Sequence, residues 1–548
     1  MKYLSDQDDR LVGRGWILFL LIAVGMAEPM ELSAADEPYT LAQLRVERKK
    51  MAARRRRIIF NNDGDDIAGA RPASGKIRSR EEAALATTPE GLLSIRTTAL
   101  LGTQVDSIFY HSTYGMRIFL EDGPFKEIYA YPDTTPLPES EGSDGGGGLA
   151  VRNCRRLIKK HGKDALEVMV DFCRQHDLEI FYSNRMNDVH DYYFPEMLSY
   201  IKVRHPEYTI GHEPARSPEE TLKLLRAGRK TNTGLNFELK IIRDLTVAAM
   251  RQICRNYDID GIELDYFRWA SLFPEVGPPQ IELLNDMTRE LRQMTEEEGL
   301  RRGRPILLAA RVLNDPARSL QMGIDIERWL KEGRIDIVMP LHFIWHQGPL
   351  KAFIDMAHNY GAPAYPCVRR VESQVSWPMC RGEALSRFAE GADGITTFNR
   401  FDPTHRLWRE LGDPKVLQDL DRTYTCSPYV GTLVTEKGTE GSQIMMIGED
   451  LSRAGRRGSI RLRIQTRGLT LAHNLQVELN DQRLDLVRAS PIVTDVPEDI
   501  LLTFSPDPAL FARPDNYITA QVKPGAGSVR LTDLRLDVFS EKGRSDQE

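Results

Sequence analysis

The chain has 548 residues, 41% of them hydrophobic and 28% charged, so it can bury a sizeable core and is too long for an ordinary single domain. Its 73 basic and 79 acidic side chains give a formal net charge of -6, which gives no reason to expect nucleic acid as a partner. The six cysteines have no Cys-x-x-Cys pair and no metal-ligand spacing, which favours buried thiols over a disulfide framework.

The N-terminal segment contains the apolar run GWILFLLIAVGMA, preceded by three basic residues and followed by small residues. The run is too short to span a bilayer comfortably, and this arrangement is typical of a secretory signal that is removed. We predict that residues 1–35 are a signal peptide, or an N-terminal anchor if they are not cleaved. The protein is then exported to the periplasm, the cell surface or the medium, and membrane contact is expected only in the uncleaved case.

Residues 36–56 form a basic leader segment with the sequence RVERKKMAARRRR at its end. Such a run could bind a membrane surface or a polyanion. No aromatic residues are interleaved for stacking, however, which favours a solvent-exposed helix that leads into the fold.

Residues 57–415 alternate short apolar runs with amphipathic stretches, as in a parallel sheet whose strands are joined by crossover helices. One amphipathic stretch carries Met250, Ile253, Cys254 and Tyr257 at helical spacing, which gives it a single apolar face. Eight strands close a (β/α)₈ TIM barrel, which we therefore predict over this region. The predicted strands are 57–63, 105–111, 178–184, 260–266, 305–311, 335–342, 362–368 and 394–400.

The last part of the chain changes to a period of two. Segments such as GSIRLRIQTRG and VRLTDLRLDVF alternate apolar and polar residues and are separated by Gly, Asn, Asp and Pro. This pattern predicts an antiparallel β-sandwich over residues 425–540, with a disordered tail at 541–548.

The stretch YDIDGIELDYFRW places acidic side chains on a strand of the predicted barrel. Alternation puts Ile262 and Leu264 on the face that packs on the helices, and Glu263 and Asp265 on the face inside the barrel. Because the strand starts at Gly261, we expect Asp265 at the C-terminal mouth, where the catalytic residues of this fold collect, and Glu263 one layer below. Glycoside hydrolysis needs two carboxyl groups that flank the scissile bond, which makes both residues catalytic candidates.

Two alternatives remain open for this strand. Its carboxylates could be structural partners of Arg185, Arg268 or Arg311 instead of catalytic groups. If Asp265 is the nucleophile or the electrostatic stabiliser, its acid/base partner could be Glu263 or a residue of another loop.

The loop SNRMNDVHDYY after the third predicted strand offers the other source of a carboxyl group. We predict Asp188 as the acid/base partner of Asp265, with Asp191 as the alternate. Arginine could clamp a sugar hydroxyl or orient a carboxylate, and asparagine and histidine could bind hydroxyls. The competing interpretation is that Asn187 or Asp188 caps the loop by bonding to its own backbone.

Polar and aromatic residues at other predicted strand ends complete the candidate site. An aromatic ring can stack on the apolar face of a pyranose, although a lone aromatic residue is as often loop packing. The predicted substrate-binding residues are Arg185, Asn187, His190, Asp191, Asn61, Asp63, His111, Arg268, Arg311, His342 and Trp345.

No metal or other cofactor is predicted. The segment NNDGDD resembles a calcium loop but lacks the downstream Glu at the spacing of an EF-hand. The chain also has no H-E-x-x-H or G-x-S-x-G arrangement, which argues against a metallohydrolase and a serine hydrolase.

Within residues 57–410, four segments resemble a family of glycosyl-hydrolase-like TIM barrels long filed as a domain of unknown function. They are FNNDGDD, FYSNRMNDVHD, TGLNFELKIIRDLTVAAMRQICRNYDIDGIELDYFRW and IDIERWLKEGRIDIVMPLHF. The resemblance implies a (β/α)₈ barrel, export, and the hydrolysis or binding of a polymeric carbohydrate. It does not fix the catalytic residues.

Two better-understood families show what this strand lacks. The chitinase motif D-G-x-D-x-D-x-E overlaps Gly261 and Asp265, but Phe267 stands where its catalytic Glu belongs. The α-amylase pattern G-x-R-x-D also matches Gly261 and Asp265, but Glu263 replaces the Arg, and the next strand ends in Arg311 where the acid Glu is expected. The position of the nucleophile is therefore retained, and the acid must come from elsewhere.

The sequence thus predicts an exported glycoside hydrolase-like protein that acts on a polysaccharide or oligosaccharide. The alternative is a catalytically inactive carbohydrate-binding barrel, in which the missing chitinase and amylase acids are simply absent.

Overall fold

The computed structural model describes most of the chain downstream of the predicted signal peptide. The described ranges are 39–69, 84–112, 116–130, 146–192, 197–227, 232–268, 271–341, 350–368, 376–426, 432–439, 443–451, 460–492, 499–511, 514–525 and 527–540. The predictions for residues 1–35 and 541–548, and those for His342 and Trp345, lie outside these ranges.

Eight parallel strands form a barrel, which confirms the predicted (β/α)₈ fold. The strands are β1 (Ile58–Asn62), β2 (Val105–Tyr110), β3 (Glu179–Arg185), β4 (Gly261–Asp265), β5 (Leu307–Leu313), β6 (Ile337–Leu341), β7 (Cys367–Val368) and β8 (Ile395–Thr397). They are hydrogen-bonded in the order β6-β5-β4-β3-β2-β1-β8-β7. A parallel bridge between Val338 and Ala364 joins β6 to the segment before β7 and closes the ring.

Strand β7 is much shorter than the predicted run 362–368. Pro363 and Pro366 interrupt that run, and proline has no N–H to donate to a neighbouring strand. Pairing is therefore limited to the Ala364 bridge and to Cys367–Val368.

Alternation along the strands divides the core into two parts. The face towards the helices carries buried apolar residues such as Ile58, Phe60, Ile262 and Leu264. The lower part of the barrel interior is filled by a separate apolar cluster: Ile59, Phe109, Phe181, Leu307, Ala309, Ile337, Met339 and Tyr365. Above this cluster the interior becomes polar, and the site lies there.

Helices surround the barrel and follow the strands in chain order. They are α1 (Leu41–Ala52), α2 (Pro89–Arg96), α3 (Pro124–Tyr129), α4 (Gly146–His161), α5 (Ala165–Gln175), α6 (Tyr200–Arg204), α7 (Pro218–Arg226), α8 (Lys240–Asn256), α9 (Pro278–Arg302), α10 (Pro316–Gln321), α11 (Ile326–Lys331), α12 (Lys351–Asn359), α13 (Trp377–Ala389) and α14 (Pro414–Gln418). Within the described ranges, every helix is too short or too polar to cross a membrane.

The basic run of the leader segment lies in helix α1 and the turn after it. Thr40 forms a capping box with Gln43 at the start of the helix. Arg45 and Arg48 both bind the carboxylate of Glu296 in α9, at 2.8 and 2.7 Å. These two cations are therefore engaged within the protein.

The C-terminal region consists of antiparallel strands, as the predicted β-sandwich requires. They are β9 (Arg422–Thr425), β10 (Thr432–Thr435), β11 (Gly438–Thr439), β12 (Gln443–Met446), β13 (Ile460–Arg467), β14 (Leu475–Leu479), β15 (Gln482–Arg483), β16 (Leu486–Pro491), β17 (Asp499–Phe504), β18 (Asp515–Val522) and β19 (Val529–Val538). One sheet has seven strands, including β9 paired with β19, and the other has the order β12-β18-β14-β15.

Candidate active site

Three adjacent strands set the depth of the charged residues inside the barrel. The register pairs Arg185 of β3 with Asp265 of β4, and Asp265 with Arg311 of β5. One pleat below, Glu263 lies between Ser183 and Ala309. Asp265 is therefore the last residue of its strand, at the C-terminal mouth, and Glu263 is one layer deeper.

Asp265 is oriented by the backbone that follows its own strand. Its Oδ1 accepts hydrogen bonds from the N–H groups of Phe267, at 3.0 Å, and Arg268, at 3.3 Å. Its Oδ2 lies 3.8 Å from Nη1 of Arg311. The carboxyl group thus points into the barrel, and its second oxygen has only a loose ionic contact.

Glu263 forms a buried ion pair with Arg311, in which Oε1 lies 2.6 Å from Nη2. Neither side chain is appreciably exposed to solvent. Burial raises the pKa of Glu263 to about 7, with Asp265 adding to the rise and Arg311 opposing it. The structural interpretation is therefore favoured for Glu263 and Arg311, because each is the close ion-pair partner of the other.

The carboxylate of Asp188 is hydrogen-bonded within its own loop. Its Oδ2 accepts a hydrogen bond from Arg185 at 2.9 Å, and its Oδ1 accepts one from the backbone N–H of His190 at 2.9 Å. His190 also contacts Oδ1 through Nδ1, at 2.5 Å. Although burial opposes the shift, His190 and Arg185 hold the pKa of Asp188 well below its usual range. This geometry is unfavourable for the general acid that the sequence predicted, because that acid must carry a proton.

Asn187 and Asp191 are both bound within the protein, and their role as substrate contacts stays a prediction. The side chain of Asn187 is buried and bonds to the backbone of Leu235 and Ser271. Asp191 is buried against Lys202, at 3.0 Å. A cavity of about 30 Å³ is lined by these two residues together with His111, Arg185 and Asp188.

The loop after β1 contributes a second pair of carboxyl groups, Asp63 and Asp65. Asp63 binds Nη1 of Arg96 at 2.5 Å, and although burial opposes the shift, Arg96, Arg268 and Arg185 lower its pKa to about 2. The carboxyl group of Asp65 reaches solvent and has no hydrogen bond or ion pair among the described residues. Many protein atoms nevertheless lie around it. This crowding and the charge of Asp63 raise the pKa of Asp65 to about 6.

Asn61 and His111 are both buried, and their role as substrate contacts stays a prediction. Asn61 is buried inside β1. Nδ1 of His111 lies 2.8 Å from the carbonyl oxygen of Ser183, and burial lowers the pKa of His111 to about 3. The imidazole is therefore neutral at ordinary pH, and its ring is nearly buried.

Arg268 lies at the mouth beside Asp265. Its guanidinium group lies over the ring of Phe398, 4.8 Å from the centroid, and its Nη2 donates to Oδ1 of Asn399 at 3.3 Å. Asn399, whose Oδ1 accepts this bond, has a φ of 52°, in the left-handed region that Asn adopts more readily than most other non-glycine residues. The end of β8 therefore helps to position Arg268.

The structure brings Asp265, Arg268, Asp63, Arg185, Asp188 and His190 to one mouth, and adds groups that were not predicted. Asp65, Arg96 and Phe398 were missed. The segment NNDGDD marked the position of Asp65, but the pKa difference between its carboxylates depends on Arg96 and Arg185, which are distant in sequence.

No protein-family model matches the chain, and no curated protein matches it. Among solved structures, the PgaB (BpsB) glycoside hydrolase domain from Bordetella bronchiseptica is similar at 12% identity and a TM-score of 0.36, over 66% of this chain and 99% of that chain. The noncanonic maltogenic alpha-amylase AmyB from Thermotoga neapolitana has 12% identity and a TM-score of 0.30, over 85% of this chain and 99% of that chain. The GH36 alpha-galactosidase AgaA from Geobacillus stearothermophilus has 11% identity and a TM-score of 0.36, over 82% of this chain and 56% of that chain. These matches agree with the resemblance of the sequence to glycosidase-like barrels, but likeness at this level carries no argument about activity.

Proposed function

We propose that the protein is an exported glycoside hydrolase that acts on a polymeric carbohydrate, with Asp265 and Asp65 as its two catalytic carboxyl groups. The observation that carries the proposal is the contrast between two carboxyl groups at one barrel mouth. Asp265 accepts two backbone N–H groups and faces Arg311, whereas Asp65 is exposed, has no ion-pair partner in the described part of the chain, and has a pKa of about 6. Pairs of titratable groups in such different environments are typical of acid/base assignments.

In this mechanism Asp65 protonates the glycosidic oxygen as the bond to the anomeric carbon breaks. Asp265 acts as the nucleophile or stabilises the positive charge that develops on the sugar ring. Water then adds to the anomeric carbon and gives its proton to Asp65; where Asp265 has formed a covalent bond to the sugar, this addition breaks that bond and releases the Asp265 carboxylate. Asp65, and not Asp188, is the proposed acid/base partner of Asp265, because Asp188 already accepts hydrogen bonds from Arg185 and His190.

Export rests on the sequence alone, through the apolar N-terminal run and the small residues that follow it. The polymeric nature of the substrate rests on the family resemblance. Subcellular fractionation of cells that express the full chain, with N-terminal sequencing of the mature protein, tests export directly.

The catalytic assignment is tested by activity screens on glycan panels with Asp265→Asn and Asp65→Asn. We expect each substitution to lower kcat on a natural glycan by about 10²–10⁴-fold, the usual effect of losing a positioned acid or base. Asp315→Asn is the matched control, because Asp315 lies in the loop after β5 and only caps helix α10. A wild-type rate in Asp265→Asn removes that residue from the chemistry.

Leaving-group dependence separates the two roles. An aryl glycoside with an acidic phenol needs little protonation, so Asp65→Asn should cleave it far better than a natural glycan. Asp265→Asn should be impaired on both substrates. If Asp65→Asn loses the same fraction of activity on the two substrates, Asp65 is not the proton donor.

The second candidate is a carbohydrate-binding barrel without turnover. It is favoured by the ion pairs that occupy Glu263 and Asp188, which leave fewer carboxyl groups for chemistry. Calorimetric binding of an oligosaccharide that the wild-type protein leaves intact over prolonged incubation would establish this function instead.

A further inference from the structure

Four arginine side chains converge on the barrel mouth, and they are not paired equally. Arg96 binds Asp63 at 2.5 Å, Arg185 binds Asp188 at 2.9 Å, and Arg311 binds Glu263 at 2.6 Å. For Arg268, by contrast, the nearest carboxylate oxygen among the described residues is Oδ2 of Asp63, at 4.0 Å. The mouth thus supplies a close anion for three of these cations and leaves Arg268 without one.

Arg268 is nevertheless held in a defined position. Its backbone N–H donates to Asp265, its guanidinium group lies on the ring of Phe398, and its Nη2 reaches Asn399. The other guanidinium N–H groups have no acceptor among the described residues. Only 15% of the side chain is exposed.

A cation that is largely removed from water is costly unless an anion compensates it. Burial and the neighbouring charge of Arg185 lower the pKa of Arg268 to about 10, with Asp63 and Asp265 opposing the shift. The surrounding carboxylates therefore do not balance this charge. A ligand with an anionic group would, and the planar guanidinium group can bind such a group through two parallel hydrogen bonds.

We infer that the substrate is an acidic glycan, and that Arg268 binds a carboxylate or sulfate on the sugar that lies beside Asp265. This inference rests on the proposed function, since it names the substrate class of the same site. Asp265 does not exclude such a group, because its own charge is shared with Arg311 and two backbone N–H groups.

The test measures binding and cleavage separately, with the full chain. The ligands are uronate oligosaccharides prepared from pectate, alginate and hyaluronan, their carboxyl-reduced neutral counterparts, and chondroitin sulfate oligosaccharides. The variants are Arg268→Met and Arg268→Lys. Arg318→Met is the control, because Arg318 lies in helix α10, is 71% exposed and has a loose ionic contact of 3.7 Å with the N-cap residue Asp315.

We expect the wild-type protein to bind at least one acidic ligand roughly tenfold to a hundredfold more tightly than its neutral counterpart, the effect of one charged hydrogen-bonding group. Arg268→Met should abolish this preference, Arg268→Lys should retain part of it, and Arg318→Met should not change it. Preference for a uronate over chondroitin sulfate, or the reverse, identifies the anionic group. Thermal unfolding of Arg268→Met and Arg268→Lys shows whether the variants are folded.

The two proposals fail in different ways. Tight binding of an acidic ligand without cleavage refutes the hydrolase and leaves the acidic specificity in place. Cleavage of neutral glycans with no acidic preference refutes the specificity and leaves the hydrolase in place. Absence of binding to every acidic ligand, or an unchanged preference in Arg268→Met, overturns the inference.

Discussion

Asp63 and Asp65 show how two carboxyl groups in one loop acquire opposite pKa shifts. Arg96 and the other nearby arginines stabilise the charged form of Asp63, whereas burial and the resulting negative charge of Asp63 disfavour ionisation of Asp65. The pair therefore titrates with one group near pH 2 and the other near pH 6. Only the second can carry a proton to a substrate near neutral pH.

This difference predicts the pH dependence of hydrolysis. Because Asp65 must be protonated to act as the acid, kcat/KM should fall as the pH rises through about 6. Arg96 itself lowers the pKa of Asp65, and Arg268 and Arg185 also favour the ionised form of Asp63, so Arg96→Met should raise the pKa of Asp65 and move the alkaline limb to higher pH. A pH profile of kcat/KM from pH 4 to 9 measures both effects, and an alkaline limb unchanged by Asp65→Asn would contradict the assignment.

Single residues also show where sequence reasoning reaches its limit. The alternation along β4 was sufficient to place Asp265 at its mouth end and Glu263 below, since side-chain direction in a strand is a local property. The surroundings of Asp188 and Asn187 were not predictable in this way. Asn187 bonds to Leu235 and Ser271, and these contacts exist only after distant segments have been brought together.

At the level of strands and helices, prediction succeeded where periodicity is strong and failed where proline intervenes. The strands β1 to β6 are found within a few residues of the predicted bounds, whereas β7 is reduced to two residues. The β-sandwich was predicted as a class, but its division into a seven-stranded and a four-stranded sheet depends on pairings between remote strands.

Strand β4 packs closely against its neighbours at Gly261. A Cβ atom there would lie 2.2 Å from Cε1 of Phe181 and 2.7 Å from the carbonyl oxygen of Leu307. Gly261→Ala should therefore shift β4 and lower the free energy of unfolding by about 1–3 kcal/mol, the usual cost of overpacking. It should also reduce activity, since Glu263 and Asp265 follow on the same strand.

The matched control for this substitution is Gly277→Ala. A Cβ atom at Gly277 meets nothing closer than 3.4 Å, and its backbone is extended. The free energy of unfolding of Gly277→Ala should differ from that of the wild-type protein by less than about 0.5 kcal/mol. Equal stability of the two variants in denaturant titrations would contradict the close packing at Gly261.

Over the whole molecule, the formal net charge of -6 hides the local charge of the site. The net charge gave no indication of an anionic ligand, because it sums the charges of the entire chain. Binding responds to the nearest groups, since at physiological ionic strength charges beyond about 8 Å are largely screened. The negative net charge should slow the approach of an acidic polymer at low salt, but it does not oppose a contact with Arg268.

Barrel and sandwich meet where helix α13 packs on strand β9. Ser386 of α13 donates to the carbonyl oxygen of Met446 at 2.9 Å, and Arg381 binds Glu410 at 2.8 Å beside this contact. The same helix reaches the mouth end of β8, since Arg400 donates to Sγ of Cys380 at 2.8 Å. The sandwich thus supports the helix against which the segment carrying Asn399 is packed.

Gly382 makes this interface testable, because the expected sign is opposite to that of an ordinary helix. In an exposed helix interior, Gly→Ala stabilises by about 1 kcal/mol. A Cβ atom at Gly382 would lie 2.3 Å from the backbone oxygen of Thr423 in β9, so Gly382→Ala should instead lower Tm by at least about 2 °C. Gly448→Ala approaches the same interface from the other side, 2.1 Å from the oxygen of Leu385, and should have the same effect. Calorimetry measures Tm, and Ser94→Ala, on the exposed face of α2, serves as the control. If Gly382→Ala has the same Tm as the wild-type protein, α13 and β9 are not in the close contact described.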